Sequence, residues 1–236
     1  MENLISKSDM IISFGSCFAT EMGNKLEENG YRILNNPFGV LFNPVSIANS
    51  INRLLDPVPF TLEDVIERDP LYGKNSGLEK IPSFASFFHH GSFRESSPEL
   101  FLDKVNPLLE QHSLWLKGST HILVTFGTSW VFREKERDII VSNCHKRPAY
   151  EFQRELIGIE QITELYQPIL SHPCLKEKQW IFTVSPIRHL SDGAHGNQIS
   201  KATLLLAIEK MCATFSNAHY FPSCESVLDE LRDYKY

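Results

Sequence analysis

Apolar residues along this chain fall into two alternating rhythms, short unbroken runs and repeats of three to four residues. Met10 to Phe14 is an apolar run that stops at Gly15, and Phe18, Met22 and Leu26 then recur at helical spacing until Gly30. Tyr31 to Leu34 predicts a second strand. It runs into a loop over 35–44 punctuated by Pro37 and Pro44, and Val45 to Leu55 predicts a helix ended by Asp56-Pro57. Residues 67–97 are expected to be irregular and, being rich in phenylalanine and histidine, to form a lid or pocket wall. Pro98 to Trp115 returns to the helical repeat, and His121 to Phe126 is the clearest buried strand. A charged turn, Arg133 to Asp138, separates Trp130–Phe132 from Ile139–Val141 as a hairpin would. A helix over Ile159–Leu170, a strand over Trp180–Val184, a helix over Ile199–Phe215 and a short strand over His219–Phe221 complete the pattern. Such alternation predicts one α/β domain over residues 1–236, with a doubly wound, mostly parallel sheet that presents ligands at its carboxyl edge.

The first strand-to-helix turn reads Gly15-Ser16-Cys17-Phe18-Ala19 and carries the strongest chemistry. The first amides of a helix lack partners, and the helix dipole favours an anion beside them. A hydroxyl or thiol there can attack an acyl carbonyl while those amides hold the oxyanion. The plainer alternative is that Ser16 caps the helix and Cys17 packs inside it.

Bulk properties narrow the field. A net charge of -6 argues against nucleic acid as the main partner, and no apolar run has the length of a membrane span. The start of the chain lacks a basic segment followed by an apolar one, so no leader is expected. The five cysteines are scattered without a Cys-x-x-Cys pair, so neither a disulfide framework nor a zinc knuckle is indicated, and a cytoplasmic location is expected. Cys17, Cys144 and His145 fit no common zinc spacing, and both phosphate-cradle glycine motifs are absent, so neither a metal nor any other cofactor is expected.

The pentapeptide at 15–19 resembles the block that names the GSCFA family. Asn36 to Pro44 resembles that family's second block, Thr125 to Val131 and Asn143 to Lys146 its third and fourth. Thr183 to His189, with Asp192-Gly193, Asn197 and Ser200-Lys201-Ala202, resembles its fifth, and Tyr220 to Ser223 and Asp229 to Tyr234 follow in order. The family is itself similar to the SGNH (GDSL-type) esterases and lipases. That similarity implies a flavodoxin-like three-layer α/β/α fold with about five strands, and hydrolysis or acyl transfer on a small-molecule or carbohydrate ester. Superposed on the Gly-Asp-Ser block of those esterases, Cys17 falls under the nucleophilic serine and Ser16 under the aspartate; a turn shifted by one would make Ser16 the nucleophile. A thiol at a helix N-terminus is the better nucleophile in principle. Both families place an Asp-x-x-His block, carrying the base, near the C-terminus. This chain stops at Tyr236 where that block would begin, so either the sequence is truncated or the base is lost.

Other candidate roles come partly from the resemblance and partly from the predicted strand ends. Gly39 would donate an oxyanion hydrogen bond, and Ser129 stands where the esterases carry an asparagine, so Thr128, Ser129 or Asn143 would substitute. Asn143 and His145, two apart at the end of a hairpin strand, would turn the same way and offer an amide and an imidazole base to one pocket. Ser185, Arg188 and His189 would line the substrate, with Arg188 clamping a carboxylate or phosphate; the alternative for Arg188 is an ion pair with Asp192. His89 and His90 read as solvated loop histidines. The rival function is a catalytically silent module that binds a carbohydrate or peptide on the same fold.

Overall fold

A computed structural model describes residues 5–68 and 82–231. Along them run β1 (Met10–Gly15), α1 (Cys17–Glu28), β2 (Arg32–Asn35), α2 (Pro44–Leu55), β3 (Val65–Arg68), β4 (Ser83–Ser86), α3 (Pro98–Gly118) and β5 (His121–Phe126). They continue with β6 (Trp130–Glu134), β7 (Ile139–Val141), β8 (Phe152–Leu156), α4 (Ile159–Leu170), β9 (Gln179–Val184), α5 (Gly193–Thr214), β10 (Ala218–Tyr220) and the one-turn α6 (Ser223–Glu225).

The main sheet is parallel throughout, in the order β10-β9-β5-β1-β2. Counted along the chain, its strands lie 2-1-3-4-5. The order reverses between β1 and β5, and such a switch opens a crevice at the carboxyl ends of those two strands. Helices flank the sheet in a three-layer α/β/α arrangement.

Strand alternation builds the core. Ile12 and Phe14 of β1, Ile122, Val124 and Phe126 of β5, and Trp180, Phe182 and Val184 of β9 share one face and are fully buried with residues of α2, α3, α4 and α5. The opposite face carries smaller polar groups, Ser13, Thr125 and Thr183, also buried. α2 starts one residue earlier than its apolar repeat, because Pro44 suits the first helical position and the Asn43 side chain accepts from the Ser46 amide.

Several expectations need correction. Within 67–97 the described residues include the end of β3 and the whole of β4, which pair antiparallel, and Phe87 and His89 are buried; 69–81 lie outside the described residues. The expected hairpin exists, pairing Phe132 with Val141, and β8 adds a third strand to its other side. The apolar signal for β8 is weak, since Phe152 and Leu156 flank the exposed Gln153 and Arg154 and the half-buried Glu155; Arg133–Glu155 ion pairing and Arg154 lying over the Trp130 and Phe132 rings hold it. α5 begins six residues before the expected Ile199, since tertiary bonds outweigh the poor propensity of Gly193 and Gly196. Within the described residues no helix is long and apolar enough to cross a membrane.

Candidate active site

The sheet gathers the candidate blocks by register. Gly15 pairs with Thr125 and Thr125 with Thr183, so the turns at Ser16, Gly127 and Ser185 sit on three adjacent strand ends, each about 5 Å from the next. The second block lies across them: the Leu41 amide donates to the Gly15 carbonyl at 2.8 Å, and the Phe42 carbonyl accepts from Gly127 (2.8 Å) and Thr128 (3.0 Å).

Asn36 fixes the first turn. It sits at φ +49°, its Oδ1 accepts from the Gly15 amide at 2.7 Å, and its Nδ2 donates to Thr20 Oγ1 at 2.8 Å. The left-handed backbone that an asparagine tolerates turns this side chain under the start of α1. Sequence reasoning gave Asn36 no role; its place directly before Pro37-Phe38-Gly39 was the available signal.

Ser16 does not cap α1. Its hydroxyl accepts no bond from the first turn and has no partner among the described residues, although the residue is only 1% exposed. The amides of Cys17, Phe18 and Ala19 are likewise uncapped among the described residues; the first helical amide to bond back is that of Thr20, to the Ser16 carbonyl. Cys17 does not pack inside the helix, for it is exposed. The turn therefore presents an accessible thiol, three open amides and a buried hydroxyl with nothing to hold.

Gly39 sits at φ +77°, where a Cβ would come within 2.5 Å of the His90 Cβ, so the position needs glycine for close approach. Its amide closes a turn onto the Asn36 carbonyl at 2.7 Å, which occupies the donor expected for an oxyanion. Ser129 is fully buried and turned to α5: its amide donates to Ser200 Oγ at 2.8 Å. Thr128 Oγ1 also meets Ser200 Oγ, at 3.0 Å.

Asn143 and His145 do not share a strand face. β7 ends at Val141, the Asn143 Oδ1 accepts from the His145 amide at 2.7 Å, and His145 and Lys146 adopt φ of +51° and +59°. His145 is 1% exposed; its Nε2 donates to the Ser86 carbonyl at 2.8 Å and its Nδ1 has no partner. Burial first, then Arg68 and His90, lower its pKa to about 4, so the imidazole is neutral with one nitrogen free to accept. Its surroundings are the 86–90 segment and the small cluster of Phe87, Val141 and Phe152.

The loop after β9 brings the remaining candidates to the site. Ser185 is fully buried and its amide extends the sheet ladder to the Phe126 carbonyl at 2.8 Å. The His189 ring meets Phe42 edge to face with centroids 5.6 Å apart, and its Nε2 is buried without a partner. Burial and then the Lys201 charge push its pKa down. Arg188 is exposed and forms no ion pair among the described residues, because Asp192 bonds Arg154 instead. No three His, Cys, Asp or Glu side chains converge as a metal centre would need, within the described residues.

His89, expected in solvent, is fully enclosed by Phe38, Phe60, Phe93 and Phe101, and burial lowers its pKa to about 3. Unfolded histidine titrates near pH 6.5, so below that pH the unfolded chain binds protons the folded one refuses, and stability falls. His89→Phe is expected to recover about 2 kcal/mol of the loss between pH 7 and pH 5. Urea midpoints of both forms at the two pH values check this; equal pH dependence would contradict it.

A parallel sheet with this switch point, and polar turns gathered on its carboxyl edge, defines a doubly wound α/β protein, the class in which ligands bind at such a crevice. The chain belongs to the GSCFA family, whose model matches residues 10–236. Neither the comparison with curated proteins nor that with solved structures gave a match.

Proposed function

We propose that this protein is an acyl hydrolase or acyltransferase that attacks an ester or similar acyl bond with Cys17. The observation that carries this reading is the start of α1, where an exposed thiol stands beside three uncapped amides at the sheet's switch point. A carbonyl carbon attacked by the Cys17 sulfur would place its oxygen within reach of those amides, which supply oxyanion stabilisation from the backbone itself. Cys17 is favoured over Ser16 because the serine hydroxyl is enclosed.

His189 is the favoured base: it follows β9 on the same sheet edge, its pKa is pushed down, and its Nε2 bonds nothing among the described residues. His145 is the second candidate, with a tautomer fixed by the Ser86 carbonyl. Arg188, exposed and without a carboxylate partner among the described residues, suits an ester that carries its own carboxylate or phosphate. The cytoplasm, a small-molecule or carbohydrate ester and the absence of nucleic acid complete the proposal. A silent binding module is the second reading, favoured by the Gly39 amide being occupied and Ser129 being turned away.

Hydrolysis of p-nitrophenyl acetate and of the mono-p-nitrophenyl ester of succinate tests the proposal. Turnover of both is expected, with Arg188→Gln raising KM about tenfold for the anionic ester alone. Ligand binding with no turnover of any ester would favour the silent module.

A further inference from the structure

Lys201 is a charged side chain that the reading above does not use. It lies within α5 and is 6% exposed, an unusual place for a lysine without an acidic partner. Its ammonium donates to the Gly127 carbonyl at 2.7 Å and to the Ser185 carbonyl at 2.6 Å. Those residues are the first beyond β5 and β9, adjacent strands paired through Phe126 and Val184. One side chain thus satisfies two buried carbonyls that no ladder partner reaches, which a compact ammonium with three hydrogens on a flexible stem can do.

The same helix face makes two further bonds. Ser200 Oγ accepts from the Ser129 amide at 2.8 Å, and Asn197 Oδ1 accepts from the His189 amide at 3.0 Å. Asn197, Ser200 and Lys201 stand at i, i+3 and i+4, so they form one stripe, and all three are buried. Two loops distant in sequence, at 127–130 and at 185–189, are therefore fixed by three side chains of one helix.

We propose that Lys201 is a positioning residue that sets the spacing of these two loops, and so of Thr128 and His189 relative to Cys17. It touches no substrate; its role in turnover rests on the acyl-transfer reading above, whereas its hold on the loops does not. Facing the ammonium are the Cys224 thiol from α6, the His189 ring from the loop after β9, and the two carbonyls; no carboxylate among the described residues pairs with it. Burial lowers its pKa to about 8, with Cys224 opposing, so the proton leaves in a range where the folded protein can be studied.

Lys201→Met, compared with the unmodified protein by hydrogen exchange, is the test. The expected result is a loss of protection of at least about tenfold at the amides of 127–130 and at those of Ser185, Ile187 and His189, with β1 and α1 changed by less than about twofold. On p-nitrophenyl acetate, kcat should fall while KM stays within about threefold. Unchanged exchange in both loops overturns the proposal, and so does a uniform loss across the sheet, which is plain destabilisation. Should the variant not fold, the Thr128 amide nitrogen of the unmodified protein, bonded to the Gly127 carbonyl carbon, reports instead. Its 15N shift should follow loss of the Lys201 proton, expected near pH 8, and no titration of that shift with the ammonium overturns the proposal. Absence of turnover in the unmodified protein defeats the acyl-transfer reading alone, and the exchange pattern still decides whether Lys201 pins the loops.

Discussion

Cys17→Ala is expected to lower kcat/KM on an activated ester by about a thousandfold or more, while Ser16→Ala keeps at least about a third of it. The asymmetry follows from the turn. Removing the thiol takes away the only accessible nucleophile of the first block, and the open amides alone cannot replace a covalent step. Removing the Ser16 hydroxyl deletes a buried oxygen that bonds nothing among the described residues, so no hydrogen bond of that part of the fold is lost. Alkylation gives the same answer without an assay. Iodoacetamide should label Cys17 and Cys174, which are both exposed, first, and only labelling of the former should silence the protein. Cys144 and Cys212 should lag, because burial pushes both thiols up to about 11. Exchanged behaviour of the two variants would make Ser16 the nucleophile.

Gly15→Ala should be the most damaging single substitution in the turn, costing about 3 kcal/mol or more of stability. Gly15 has φ +151°, and a Cβ built there would lie 2.4 Å from the Thr125 carbonyl oxygen. Gly15 and Thr125 are register partners in the β1–β5 ladder, so that oxygen cannot retreat without breaking the sheet at its switch point. The Asn36 bond to the Gly15 amide would be strained by the same shift, which carries the damage to the start of α1. A urea titration with a midpoint equal to that of the unmodified protein would contradict this account.

Much of the frame was legible because buried parallel strands announce themselves. β1, β5 and β9 are covered on both faces, and their runs of isoleucine, valine and phenylalanine read as strands without tertiary information. β8 was not, since its side chains mostly face solvent and its place is set by partners on β6. The early start of α5 was hidden by two glycines whose cost is met by contacts elsewhere in the fold.

The site was legible as a set of blocks, less so as a set of roles. The first turn emerged from the strand-glycine-helix pattern, but nothing local distinguishes a serine that caps from one that does not. Lys201 was legible only as part of the fifth block; that it is buried follows from its bonds to the Gly127 and Ser185 carbonyls, which no local pattern announces. His89 looked solvated because tandem loop histidines usually are, and only the ring contacts with four phenylalanines reveal its enclosure. Gly39 and Ser129 were assigned by block position, and their donors turn out to be spent on Asn36 and Ser200.

The central claim is that an acyl group passes through the Cys17 sulfur. Acid quenching of the protein during turnover of p-nitrophenyl acetate, followed by peptide mass spectrometry, tests it most directly. The account predicts one acetyl group on the peptide carrying Cys17, as a thioester that hydroxylamine removes, and none on the Cys17→Ala variant. Turnover with no adduct at residue 17, or with the acetyl group on Ser16 or elsewhere, would contradict it.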